Sequence, residues 1–219
     1  VEAIEEAGVV EQEQNREYLV IKEVMNYVDP NTGSEITIIP SENYEITTMV
    51  DFGTKILGTQ NASLKNITDF KDEISSARTF SFLHELEMLL DSGLIKGGDI
   101  SNAIVYVDKE LTPETAEKLK KAFGKEEVTI RPNGILDNLT LNYPNEAARH
   151  KLLDVIGDLA LTGVKIKGKV IATKPGHFVN TQFAKKLNRQ WKLQKKKNVP
   201  DFDLKAEPVF DINGIMRLL

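Results

Sequence analysis

The chain has 219 residues, of which 41% are hydrophobic, which is enough for one large or two small domains with an ordinary core. No apolar run reaches the ~20 residues of a membrane span, and the acidic start lacks the pattern of a signal peptide, so we expect a cytoplasmic protein without a transmembrane segment. A net charge of −5 argues against nucleic-acid binding, and the lack of cysteine excludes disulfides and thiolate metal sites.

The first ninety residues are predicted to form mostly antiparallel strands. Residues 1–8 read as the end of a helix that Gly8 stops. Beyond it, alternating β-branched and aromatic residues lie between turn signals such as Asp29-Pro30-Asn31-Thr32-Gly33. The strands predicted from this pattern are 18–28, 35–39, 44–51 and 62–67, and the helices are 68–75 and 82–90.

A small insert is predicted at about 94–130, where the sequence is more polar than on either side. A strand at 103–107 follows two glycines, Thr112-Pro113 opens a charged helix that ends near Phe123, and 128–130 is a second short strand. The insert is therefore a strand-helix-strand unit.

The helix predicted at 144–160 carries the most informative pattern, because His150, Asp154 and Asp158 recur every four residues and form one stripe. A histidine and a carboxylate one turn apart can bind the same ion, and Zn²⁺ favours such ligands. A second histidine, His177, follows in Lys174-Pro175-Gly176-His177. The stripe indicates metal-assisted chemistry. The alternative, which the spacing leaves open, is a solvated polar face with an ordinary His–Asp pair.

The remaining pattern defines the fold class. A strand is predicted at 164–173, with lysines on one wet face, and an amphipathic helix at 180–193. Residues 185–197 hold seven basic residues and no acidic one, which suits either the C-terminal end of a helix or a phosphate-binding groove. Separate blocks of strands and helices favour an α+β fold, an antiparallel sheet with helices packed on one face in two layers. Residues 195–208 read as a linker.

Four motifs carry a family resemblance: Ser76-Ala77-Arg78-Thr79-Phe80, Gly93-Leu94-Ile95-Lys96-Gly97-Gly98, the helix segment from His150 to Leu159, and Lys174-Pro175-Gly176-His177. Together they resemble the zinc-dependent UDP-3-O-acyl-N-acetylglucosamine deacetylase of lipid A biosynthesis. The resemblance covers roughly 10–194, the second of two α+β domains in that family, and 1–9 resembles the end of the first domain.

The resemblance implies a role for each of several residues. His150 and Asp154 would bind Zn²⁺, with Fe²⁺ as the alternative metal. His177 would be the general acid or electrostatic partner, and Asp158 would orient it and hold it protonated. Thr79 would donate to the developing oxyanion. Contacts with the UDP-sugar substrate are implied for Phe80 and Lys151, and the acyl-chain passage for Leu86, Ile95 and Val105.

The resemblance also implies partners that this chain does not supply. The third zinc ligand and the glutamate general base belong to the family's first domain, and His84 is expected to be a surface residue. Residues 209–219 resemble the opening of a (3R)-hydroxyacyl-acyl-carrier-protein dehydratase, as in a Bacteroidetes-type fusion. We therefore expect a piece of a longer protein, inactive by itself, with both domains in cis and peripheral membrane contact. The alternative is a non-catalytic binding or scaffold module.

Overall fold

The structure, a computed structural model, describes residues 1–93 and 102–198, and the side chains up to 196. Most of the motif that begins at Gly93, including Ile95, lies outside these residues, as do the predicted segments beyond 198. The elements are α1 (Glu2–Ala7), β1 (Tyr18–Val20), β2 (Met25–Val28), β3 (Glu35–Ile39), β4 (Tyr44–Asp51), β5 (Thr59–Leu64), a 3-10 turn (Ile67–Asp69), α2 (Phe70–Glu73), β6 (Phe80–Phe82), α3 (Leu83–Asp91), β7 (Ile104–Tyr106), α4 (Pro113–Phe123), α5 (Glu146–Ala160), β8 (Lys165–Thr173) and α6 (His177–Asn198).

One six-stranded sheet organises the described chain, with β8 at its centre. The strand order is β2-β3-β8-β4-β5, and β1 pairs with the first part of β8. Three of the five pairings are antiparallel, while β8 runs parallel to β1 and β4. The α+β fold class is confirmed. The sheet is mixed, however, because β8 is parallel to two of its neighbours. The long segment that includes the insert and α5 connects β5 to β8.

Two helices cover one face of this sheet, as expected for a two-layer arrangement. Helix α5 and helix α6 pack against each other, and α5 lies on β4 and β5. The side chains that fill the space between the layers are fully buried, for example Leu152 and Val155 of α5, Phe183 of α6, and Ile38 and Val170 of the sheet. On the other face, Lys165, Lys167 and Lys169 alternate with the buried residues of β8, which confirms the predicted wet face.

The insert and the segment before it, from β6 to α3, form a second, smaller packing unit. Strands β6 and β7 pair in parallel, and α3 and α4 lie beside them around a core of their own. The second predicted strand, 128–130, is wrong, because Ile130 makes a single bridge with Leu136. Two backbone hydrogen bonds, from Arg131 to Ile135 and from Asp137 to Thr129, flank this bridge, which is too few for a strand ladder.

Three predicted boundaries also differ from the structure. The strand predicted at 18–28 is two strands, because β1 pairs with β8 and β2 with β3. The strand predicted at 62–67 begins at Thr59 and ends at Leu64. Helix α6 begins at His177 and continues to Asn198, well outside the predicted 180–193. Among the described residues, every helix is too short or too polar to cross a membrane.

Candidate active site

The stripe on α5 brings His150 and Asp154 into contact at one turn of the helix. The His150 Nε2 lies 3.6 Å from the Asp154 Oδ1, and both side chains are largely buried. The other ring nitrogen, Nδ1, lies 3.3 Å from the carbonyl oxygen of Ala77. A carbonyl acceptor holds the proton on Nδ1 and leaves Nε2 as the free lone pair, the arrangement that orients histidine ligands in metal sites.

The donor set of this pair suits a divalent metal. Two ligands about 2.1 Å from one tetrahedral ion lie ~3.4 Å apart, close to the separation of His150 Nε2 and Asp154 Oδ1. Lys151 also reaches this carboxylate, with its Nζ 3.0 Å from the Asp154 Oδ2. Within 1–93 and 102–198, no group of three or more His, Asp or Glu side chains is arranged around a common point. Among the described residues, His150 and Asp154 are therefore a candidate pair of ligands.

The third member of the stripe, Asp158, contacts the first residue of α6. The His177 Nδ1 lies 2.9 Å from the Asp158 Oδ2, and the amide of Asn180 donates to the same oxygen at 2.8 Å. The carboxylate is mostly buried, while 71% of the His177 side chain is exposed. Because Nδ1 faces Asp158, the Nε2 of His177 lies on the side of the ring away from that carboxylate.

The segment from Ser76 to Phe80 is held against α5 by a buried ion pair. The guanidinium of Arg78 contacts both carboxylate oxygens of Glu146, and the Arg78 backbone N–H donates to Oε1 at 3.0 Å. The backbone N–H of Asn142 also donates to Glu146, at 2.6 Å. Burial by itself raises the pKa of Glu146, but the hydrogen bonds from Arg78 and Asn142 outweigh it and hold the pKa below its ordinary value.

This anchoring sets the position of Thr79 and Phe80. Thr79 is exposed, and its carbonyl accepts the N–H of Ile104, which ties it to the small sheet. The Phe80 ring centroid lies 6.3 Å from that of His150, and the Nζ of Lys151 lies 5.6 Å from the Phe80 ring. Phe80 and Lys151 therefore border the His150–Asp154 pair, and their roles, like that of Thr79, stay predictions.

The residues predicted for the acyl passage are less accessible. Leu86 and Val105 are 3% and 0% exposed in the core of the smaller packing unit, which favours a packing role. Their assignment to a passage stays a prediction, and Ile95 lies outside the described residues. His84 occupies the first turn of α3, about half exposed, with its Nδ1 2.5 Å from the Asp108 Oδ2.

Sequence reasoning missed two of the polar residues that organise this site. The sequence places Glu146 at a helix start and gives no sign that it is buried. In the structure this fully buried carboxylate requires a charged partner, which is Arg78. Asn180 lies on the apolar face of α6 with Phe183 and Leu187, and a polar residue on that face was the available signal.

The fold and the site together define a two-layer α+β domain with two histidine–carboxylate pairs beside an anchored loop. A sequence model described as UDP-3-O-acyl N-acetylglycosamine deacetylase matches residues 1–123 and 114–189. The chain belongs to this family, which confirms the resemblance.

Three relatives show how the match extends along longer proteins. The chain is 42% identical to the "Bifunctional enzyme LpxC/FabZ" of Bacteroides thetaiotaomicron and 41% identical to that of Porphyromonas gingivalis, in both cases over all of this chain and 47% of the relative. It is 35% identical to the UDP-3-O-acyl-N-acetylglucosamine deacetylase of Syntrophotalea carbinolica, over 85% of this chain and 52% of the relative. The chain thus spans about half the length of the curated relatives it matches.

Proposed function

We propose that this chain supplies two metal ligands and the catalytic histidine of a deacetylase that hydrolyses the acetamide of UDP-3-O-acyl-N-acetylglucosamine in lipid A biosynthesis. The observation that carries the proposal is the pairing of His150 with Asp154 and of His177 with Asp158, with both carboxylates on α5. Family membership and the names of the relatives support the substrate.

The His177–Asp158 pair is proposed to handle the proton at the leaving nitrogen. With Asp158 accepting at Nδ1, His177 keeps one tautomer and one orientation, so that Nε2 can stabilise charge or donate a proton when the C–N bond breaks. Thr79, presented by the Arg78–Glu146 anchor, is proposed to donate its hydroxyl to the developing oxyanion. Phe80 and Lys151 would hold the UDP-sugar beside these groups.

His150 and Asp154 are proposed to hold Zn²⁺ or Fe²⁺. When bound, such an ion would polarise the acetamide carbonyl and lower the pKa of a water molecule. A catalytic site of this kind uses three protein ligands and an open position. We propose that the third ligand, a histidine, and the glutamate that acts as general base belong to a part of the parent protein outside this chain.

The bifunctional relatives support a further proposal about the parent protein. We infer that it also carries a (3R)-hydroxyacyl-acyl-carrier-protein dehydratase domain in cis. A UDP-sugar substrate suits the cytoplasm, with the acyl chain as the only part that would approach a membrane.

The experiment that tests this function measures acetate release from UDP-3-O-acyl-N-acetylglucosamine by the longer protein that contains this chain. We expect activity that a chelator removes and Zn²⁺ restores, and that His150→Ala and His177→Ala each abolish. Activity that survives both substitutions would contradict the assigned site. A folded, metal-binding protein with no release of acetate would favour the alternative, a non-catalytic binding or scaffold module.

A further inference from the structure

We propose that Asn180 is a positioning residue for the His177–Asp158 pair, which fixes the carboxylate of Asp158 and through it the imidazole of His177. The inference rests on the proposed function for its catalytic meaning, while its geometry stands independently. Asn180 and His177 lie three residues apart on α6, so both reach from one face of the helix to the same oxygen of Asp158.

The two donors differ in how firmly they are held. The His177 side chain is 71% exposed and can rotate with the carboxylate that orients it. Asn180 is fully buried on a helix whose neighbouring residues Val179 and Phe183 belong to the core, so close packing restricts its amide. Both donors contact the Oδ2 of Asp158. The buried amide therefore fixes the position of this carboxylate, and the carboxylate in turn orients the exposed imidazole.

A second observation argues that Asn180 is present for this contact and not for stability. Among the described residues, its Oδ1 is buried without a hydrogen-bond partner. A buried acceptor without a partner destabilises the folded state, and a leucine of similar size would avoid it. The amide is oriented with Nδ2 toward Asp158 because Oδ1 would face the carboxylate repulsively. The Oδ1 of Asn180 therefore lowers stability, while the Nδ2 of the same amide binds the Asp158 carboxylate.

The test measures two properties of this chain, the tautomer of His177 and the thermal midpoint of unfolding. In a ¹⁵N-labelled sample, at a pH where the spectra show the imidazole of His177 to be neutral, we expect the wild type to carry the His177 proton on Nδ1. Asn180→Leu should convert this signal to a mixture of tautomers without lowering the thermal midpoint. The imidazole of His84, which contacts Asp108 in the insert, is the internal reference and should not change. Asn188→Leu, the same substitution further along α6, is the matched control.

Kinetics in the longer protein provide the second measurement. Asn180→Leu should lower kcat about tenfold, with KM changed less than about twofold, because the amide acts through His177. An unchanged His177 tautomer in Asn180→Leu would overturn the proposal, as would an equal fall of kcat in Asn188→Leu. If Asn180→Leu does not fold, Asn180→Ser is measured in the same way and decides between these outcomes. If the tautomer changes as expected in a protein that releases no acetate, the positioning role stands and the proposed function is wrong.

Discussion

The guanidinium of Arg78 and the carboxylate of Glu146 form a bidentate pair, with the Nε 2.8 Å from Oε1 and an Nη 3.1 Å from Oε2. The same guanidinium donates to the carbonyl of Thr140 at 2.6 Å. One side chain therefore joins the loop before β6, the segment before α5 and the first turn of α5. The position of Thr79 and Phe80 relative to His150 depends on this junction.

The first prediction concerns the stability of this junction. Glu146→Gln should lower the free energy of unfolding by about 3 kcal/mol at pH 7, because it leaves the largely buried Arg78 without its counter-charge. The pKa of Glu146 is held below its ordinary value of 4.5, so its contribution is complete above that pH and is lost as the pH falls through the folded-state pKa. Urea unfolding between pH 7 and pH 3 should show the difference from the wild type shrinking in acid.

A surface pair provides the control for this measurement. Glu73 is about half exposed, and its Oε2 lies 3.8 Å from an Nη of Arg149. Glu73→Gln should change the free energy of unfolding by less than about 0.5 kcal/mol at either pH. A Glu146 variant as mild as this control would show that the pair contributes no more than a surface contact.

The second prediction concerns metal binding by this chain. Zn²⁺ should bind weakly through His150 and Asp154, because two protein ligands leave the other positions to water. Isothermal titration should show this binding lost in His150→Ala and retained in His84→Ala. Tight binding that does not depend on His150 would contradict the assignment of His150 and Asp154 as metal ligands.

The third prediction separates orientation from substrate binding at Asp158. In the longer protein, Asp158→Ala should lower kcat about 10- to 100-fold with little change in KM, because the carboxylate acts through His177. Asp158→Asn, which keeps the shape but can offer the wrong tautomer a donor, should also lose rate. A normal kcat with a raised KM would instead assign Asp158 to the substrate pocket.

The parts of the site that the sequence predicts are those set by local geometry. The stripe of His150, Asp154 and Asp158 follows from helical periodicity alone, and all three residues lie on α5 as predicted. The contact of Asp158 with His177 is not periodic, and it was expected only through the family resemblance. The sequence did not indicate the role of Asn180, because its partner, Asp158, lies on another helix. Its place among apolar residues of α6 indicates burial but no partner.

The fold shows the same division between local and distant information. The alternation in β8 predicts its wet and buried faces, since both depend on neighbours in the chain. The separation of β1 from β2 depends on their partners, because β1 pairs with β8, more than a hundred residues away, while β2 pairs with β3. Pairing partners at that distance leave no periodic trace in the strand itself, so 18–28 read as one element.

The last prediction tests this central strand through two glycines. A Cβ on Gly168 of β8 would lie 2.9 Å from the Ile21 Cγ1 and the Ile38 Cδ1, both in buried side chains, so these closely packed side chains must shift. Gly168→Ala should therefore lower the free energy of unfolding by about 1–3 kcal/mol. Gly157 of α5 is exposed, and a Cβ there would meet nothing within 4 Å, so Gly157→Ala should raise it by up to about 1 kcal/mol. Urea unfolding of the two variants in this chain measures both changes, and equal effects of one sign would contradict the close packing of β8 against Ile21 and Ile38.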